Sequence, residues 1–216
     1  MRTIFVDVDV QNDFCEPSGS LYVKGSPTDA MRKLVAYAVA HHIPILGSVD
    51  SHAWDAWEFA STSGTGPNGE KPNFPDHCVK GTPGWLKVDG TLPPHFRFVP
   101  NVADAPIAPI VDEVVRGDTQ GVYFEKEVYS LFVNPLADPF VKALAARYDE
   151  PLSFVVFGVA TDYCVRAAAL GLAERGYATT LVTDASAGIT PDGVARALDE
   201  MTNAGVKLAT SSQVMR

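Results

Sequence analysis

The sequence predicts an α/β protein, a three-layer Rossmann-like sandwich in which a six-stranded, mostly parallel sheet is covered by helices on both faces. Short runs rich in Val, Ile and Phe alternate along the chain with amphipathic stretches of helical period. Most of those runs are continuously apolar, as strands buried on both faces must be. The 216 residues, 46% of them hydrophobic, suffice for one core. No linker, repeat or low-complexity tract divides them, so residues 1–216 are read as a single domain.

Ile4 to Val10 is read as the first strand. Thr28 to Ala40 carries Met31, Leu34, Val35 and Ala38 at helical spacing, and Ile43 to Val49 returns as a strand, completing a β-α-β start. Between about 60 and 120 the chain changes character. Gly64, Gly66, Pro67, Gly69, Pro72, Pro75, Pro83, Pro93, Pro94, Pro100, Pro106 and Pro109 predict a loop-rich elaboration, with only a short strand candidate at Phe96 to Val99. Alternation resumes with a strand at Gly121 to Phe124, a helix at Pro135 to Arg147 and a strand at Ser153 to Val159. A helix over Ala167 to Arg175, a strand at Ala178 to Val182, a helix at Pro191 to Ala204 and a strand at Val206 to Ala209 follow.

The formal charge of −9 opposes nucleic acid and anionic membrane, so neither is expected as a partner. The N-terminal pattern, interrupted by acids within a few residues, is unlike a signal peptide, and no apolar run approaches the ~18 residues a bilayer span needs. A cytoplasmic location is expected. Cys15, Cys78 and Cys164 are an odd set in a chain too large to need staples, which predicts reduced thiols.

Ligands of a parallel α/β sheet bind beyond the carboxyl ends of its strands, so polar residues just after the apolar runs carry the functional reading. They are Asp7 and Asp9, Asp50 and His52, Glu125 and Lys126, and Cys164. Cys164 falls at a predicted helix start, where free amides and the helix dipole favour an anion and lower a thiol's pKa from about 8.5. A small buried core cysteine is the plainer alternative. A doubly wound strand order makes the ends at Asp9 and Cys164 neighbours, which brings a carboxylate to a thiol.

Asp50 and His52, two apart on an extended segment, point to the same side. With Glu58 and His77 downstream they suit a divalent transition ion that keeps coordination positions open. Each alone reads as well as a turn cap or a solvated loop residue; their joint occurrence is what points to a site. His41, His42 and His95 lack comparable neighbours.

Five segments carry a resemblance. Val6-Asp7-Val8-Asp9-Val10-Gln11-Asn12-Asp13-Phe14, Asp50-Ser51-His52, Pro75 to Gly84, Glu125-Lys126 and Gly158 to Arg166 look, in order, like the motifs of nicotinamidases, within the isochorismatase-like cysteine hydrolases. The likeness spans nearly the whole chain. It implies the isochorismatase-like fold, a catalytic triad of Asp9, Lys126 and Cys164, and metal ligands Asp50, His52 and His77, with Glu58 as a further one. It also implies a cis peptide at Val159-Ala160 that turns the backbone amides of Ala160 and Cys164 toward an oxyanion. One divalent ion (Zn ahead of Mn or Fe), a small-molecule amide substrate and a homo-oligomer complete the implications.

Phe14 and Phe74 would wall a pocket for a flat ring beside Val159 and Ala160, although Phe residues so placed serve equally well in a core. The implied reaction converts nicotinamide and water to nicotinate and ammonia through a thioester. Two alternatives stand: a related cysteine amidase for another small amide or carbamoyl compound, and a catalytically silent binding protein on the same fold. Three departures from the nicotinamidase pattern bear on the substrate. Trp85 to Val122 is long, Glu127-Val128-Tyr129 follows the lysine, and Tyr163 stands where His is frequent. Trp54, Trp57 and Trp85 are read as exposed aromatics suited to contacts or a lid.

Overall fold

In the computed structural model of the chain, which describes residues 1–66 and 69–216, alternate residues of the first strand enter different cores. Pro67, part of the loop-rich run, lies outside the described residues. In β1 (Arg2–Val8), Ile4, Val6 and Val8 face one side of the sheet and Phe5 the other, as a two-residue period dictates. α1 (Asn12–Cys15) is a single turn, and α2 (Thr28–Ala40) covers the Phe5 side with Met31, Leu34, Val35 and Ala38. No side chain caps α2 at Pro27. Its buried stripe, at about 1.5–3 kcal/mol per large apolar side chain, is what holds it.

β2 (Ile45–Asp50), β3 (Phe96–Val99), α3 (Ala108–Arg116), β4 (Gly121–Lys126), α4 (Ala137–Ala145) and β5 (Leu152–Val159) follow. α5 (Arg166–Glu174), β6 (Ala178–Ala187), α6 (Pro191–Asn203), β7 (Lys207–Ala209) and α7 (Ser211–Val214) complete the chain. Helices α3, α4, α5 and α6 bury apolar residues on the Ile4 side, so the sheet is covered on both faces as predicted. The strand order is β3-β4-β2-β1-β5-β6-β7, and every pairing is parallel. β1 pairs with β2 on one flank and β5 on the other, so the chain winds outward in both directions from β1, and that switch point opens a crevice at the strands' carboxyl ends.

Among the described residues the sheet has seven strands, not six. The short candidate at Phe96–Val99 is a parallel edge strand on β4, and its largely exposed side chains gave no periodic signal. α3, inside the region expected to be loops, was hidden by proline density. Its own signals were present, a Pro in the first turn and Gly117 closing it at φ 81°. Trp54 is exposed, but Trp85 is not a free surface aromatic. Its indole Nε1 donates to Ser51 Oγ at 3.0 Å and its ring packs on Phe98.

The loop-rich segment is fastened under β1. Lys87 Nζ donates to Asp7 Oδ1 at 2.8 Å with both side chains fully buried, and the ammonium lies 4.7 Å from the Tyr123 ring centroid. Asp7, read at first as a strand-end candidate, is thereby committed to this ion pair.

Gly158, next to last in β5, has φ 129°, and a Cβ there would come within 2.0 Å of the Val8 carbonyl oxygen. Gly158→Ala is expected to cost at least about 2 kcal/mol from backbone strain before the clash is counted. A lowered urea midpoint at unchanged slope is the readout.

Candidate active site

The parallel pairing of β2 with β4 puts Asp50 directly beside Lys126. β1 ends next to them, and Asp9 follows at φ 49°, a left-handed conformation that a short polar side chain tolerates. Ser48, one strand over, fixes that carboxylate by donating its Oγ–H to Asp9 Oδ1 at 2.7 Å. Lys126 Nζ then lies 2.8 Å from Asp9 Oδ2, 2.9 Å from Asp50 Oδ1 and 3.7 Å from Cys164 Sγ. Cys164 arrives from β5 through a π-helical turn at Thr161–Val165 that precedes α5. The three residues placed at distant strand ends by the sequence do meet.

Electrostatics in this cluster are those of buried charge. Burial opposes a charged Lys126, but Asp50 and Asp9 overcome it and hold the ammonium well above the usual lysine range. Burial also works against ionised Asp50, and the Lys126 charge wins, keeping that carboxyl well below its ordinary value. Cys164 goes the other way. Burial pushes its thiol well above the ordinary cysteine value, Lys126 opposes this, and the Asp9 and Asp50 carboxylates add to it. The expected dipole-lowered thiol is therefore corrected: the resting sulfur keeps its proton, because desolvation outweighs one ammonium and one helix end.

Asp50 belongs to a second cluster as well. Its Oδ2 lies 3.2 Å from His52 Nε2 and 3.4 Å from His77 Nε2, and Glu58 Oε1 lies at the same 3.2 and 3.4 Å from the two nitrogens. His77 Nδ1 contacts the Pro75 carbonyl at 2.8 Å; that carbonyl accepts the ring proton and leaves Nε2 as the lone-pair atom. His52 Nε2 is buried and has no hydrogen-bond partner. An orphaned imidazole nitrogen facing two carboxylate oxygens and a second imidazole is a donor set that fits a divalent cation. Burial pushes the Glu58 carboxyl up, with His52 opposing and Asp50 reinforcing, a crowding of negative charge that a cation relieves.

Backbone pairing brings the loop histidine to the cluster. His52 N donates to Cys78 O at 3.1 Å and Lys80 N to His52 O at 2.9 Å, which lays the 77–80 segment alongside His52. Asp13 Oδ2 anchors the same segment by accepting from Cys78 N at 2.7 Å. Gln11, fully buried, clamps Asp50 from behind: its Oε1 accepts from Asp50 N at 2.7 Å, and its Nε2 donates to Asp50 O at 2.8 Å and to Trp85 O at 2.9 Å.

A cleft opens over both clusters. Phe14 and Phe74, with ring centroids 5.5 and 5.9 Å from that of His77, line it together with Val159, Ala160 and Cys164. The Val159–Ala160 peptide is cis. Tyr129 and Tyr163 stand across the mouth with centroids 5.2 Å apart, joined there by Glu127 and Ile189. Glu125 is not part of the site; it accepts from Lys80 Nζ at 2.7–2.8 Å. Sequence reading missed Ser48, Ile189 and the clamp role of Gln11. Gln11 lay within a quoted motif, whereas Ser48 and Ile189 left no local signal, because only strand order brings them to the cleft.

Architecture and cleft together place the chain in the class of α/β proteins whose site crowns the switch point of a parallel sheet. Residues 3–213 match the Isochorismatase domain, and the chain belongs to that family. It is 32% identical over 214 residues to a nicotinamidase/pyrazinamidase of Mycobacterium tuberculosis, covering 98% of this chain and 100% of that protein. It is 29% identical to a nicotinamidase of Escherichia coli, over 94% of this chain and 92% of that one. The solved structure of a Pyrococcus horikoshii pyrazinamidase in complex with zinc is similar at a TM-score of 0.68 and 27% identity, over 97% and 99% of the two chains.

His52→Ala removes one donor of the cation site. The purified variant should carry far less bound divalent metal than wild type, by about 10-fold or more in affinity, as elemental analysis after dialysis against a metal buffer will report.

Proposed function

We propose that this chain is a metal-containing cysteine amidohydrolase that converts nicotinamide and water to nicotinate and ammonia. The observation that carries the reading is the position of Lys126 Nζ, in reach of Asp9, Asp50 and Cys164 in a cleft shared with the His52–His77 cluster. An amide needs a strong nucleophile, a proton for the departing nitrogen and a holder for the tetrahedral oxyanion. Cys164 Sγ is the nucleophile. Its proton passes to Asp9 as sulfur attacks the carbonyl carbon, since the resting thiol is protonated and the Asp9 carboxylate, paired with Lys126, is the acid that meets it.

Lys126 holds the acid and stabilises sulfur as it gains charge. The backbone amides of Ala160 and Cys164 face the oxyanion, a contribution of roughly 3 kcal/mol per donor. When the tetrahedral intermediate collapses, the C–N bond breaks and Asp9 returns its proton to the leaving ammonia. Water then attacks the thioester as Asp9 takes one of its protons; the C–S bond breaks, Asp9 returns that proton to the sulfur to restore the thiol, and the acid product gives its remaining proton to solvent as the carboxylate.

Asp50, His52, Glu58 and His77 would hold the ion, which when bound supplies a Lewis acid able to anchor a ring nitrogen and order water. The similarity to a zinc-bound pyrazinamidase supports Zn over Mn or Fe. Phe14 and Phe74 flank the ring. The resemblance also supports a single-domain, cytoplasmic homo-oligomer; among the described residues no helix is long and apolar enough to cross a membrane.

Timed ammonia release from nicotinamide, pyrazinamide and a panel of aliphatic amides tests the reading. Turnover of the two heteroaromatic amides is expected. Release from aliphatic amides alone would make the chain a related amidase, and release from none would make it a binding protein.

A further inference from the structure

Glu127 immediately follows the ammonium-bearing Lys126, lines the same cleft as Cys164 and is exposed. Among the described residues no Lys, Arg or His lies in ion-pair contact with it, and it makes no hydrogen bond. Every other acid lining that cleft is committed, Asp50 to Lys126 and both Asp50 and Glu58 to the imidazoles of His52 and His77. The same cleft is also lined by the apolar and aromatic side chains of Val128, Tyr129, Tyr163 and Ile189. Low-dielectric walls focus the field of an exposed carboxylate toward the opening.

We propose that Glu127 is a specificity-determining residue that discriminates by charge. It repels carboxylate-bearing rings, and so speeds departure of the anionic product and excludes ring amides that carry an acid group, while neutral heteroaromatic amides pass. This rests on the amidase reading above, in which the substrate is neutral and the product is an anion at neutral pH. Repulsion of like charges is a standard way to reject a competing ligand. At an exposed rim it is largely screened in concentrated salt and stronger at low ionic strength.

The test uses the metal-loaded full chain and its Glu127→Gln and Glu127→Asp variants, with nicotinate as the anionic probe and pyridine-3-methanol as its neutral counterpart. In 10 mM salt, Glu127→Gln should lower the ratio of the nicotinate inhibition constant to the nicotinamide KM by about 3- to 5-fold, an effect in the range of one rim charge pair. The gain should fade in 1 M salt, where the screening length is about 3 Å. Pyridine-3-methanol should show no comparable gain, and Glu127→Asp should behave as wild type. An unchanged ratio with nicotinamide turnover intact overturns this inference alone, as does a gain that persists in 1 M salt or appears equally with the alcohol. Failure of both wild type and variant to release ammonia overturns the amidase reading and this inference with it.

Discussion

Cys164→Ala should abolish ammonia release from nicotinamide, a loss of about 10⁴-fold or more in kcat, while the protein remains folded. The sulfur lies 3.7 Å from Lys126 Nζ, and no other thiol shares the cleft. Cys15 and Cys78 are buried elsewhere, and burial pushes the Cys15 thiol up to about 12. Removing a nucleophile that acts with its acid and cation as a unit costs nearly the whole covalent rate enhancement. Alanine in place of one small buried side chain changes packing by a single sulfur, so the melting temperature should shift by only a few degrees. Ammonia release at the wild-type rate would eliminate the acyl-enzyme scheme, and burst kinetics with a slowly hydrolysed ester analogue would locate the defect in acylation.

Lys126→Met should be both inactive and markedly less stable. The ammonium is fully buried and sits between Asp9 Oδ2 and Asp50 Oδ1 at 2.8 and 2.9 Å. Removing it leaves two buried carboxylates facing each other without a cation. Breaking a buried pair in this way costs about 3–5 kcal/mol. Urea denaturation will show it as a lowered midpoint. The double variant Lys126→Met/Asp9→Asn should regain part of that stability, because one of the stranded charges is gone, yet should release no ammonia. Equal stability of single and double variants would mean that the lysine does not balance Asp9.

The contents of this site were legible in the sequence because each element delivers one functional residue at a predictable place. Unbroken apolar runs located β1, β2, β4 and β5, and polar residues at their carboxyl ends proved to be Asp9, Asp50, Lys126 and Cys164. The expected Asp50/His52 geometry held, since both reach the same cluster. Elements whose signal was diluted read weakly or not at all: the strand at Phe96–Val99 was seen only as a short candidate, and α3 was missed. β3 exposes most of its side chains, and α3 is embedded among prolines.

The sign of the Cys164 shift also escaped, because a helix start can be located from sequence whereas the depth of burial at that start cannot. Gln11, Ser48 and Lys87 act across the sheet on residues 39, 39 and 80 positions away. No local pattern encodes such partners. Glu125 shows the converse, a strand-end acid whose neighbour Lys80 diverts it from the cleft.

One carboxyl group, that of Asp50, offers Oδ1 to the lysine and Oδ2 to the imidazoles. The two halves of the cleft therefore draw on a common reserve of negative charge. Whatever takes electron density from Oδ2 leaves less for the lysine, and the lysine in turn shares more of its field with the sulfur. In the proposed mechanism, nucleophile strength and ion occupancy would thus be tied through a single side chain. A lineage that discards the ion cannot leave the thiol's chemistry as it was, and a designer who exchanges one half inherits the task of retuning the other.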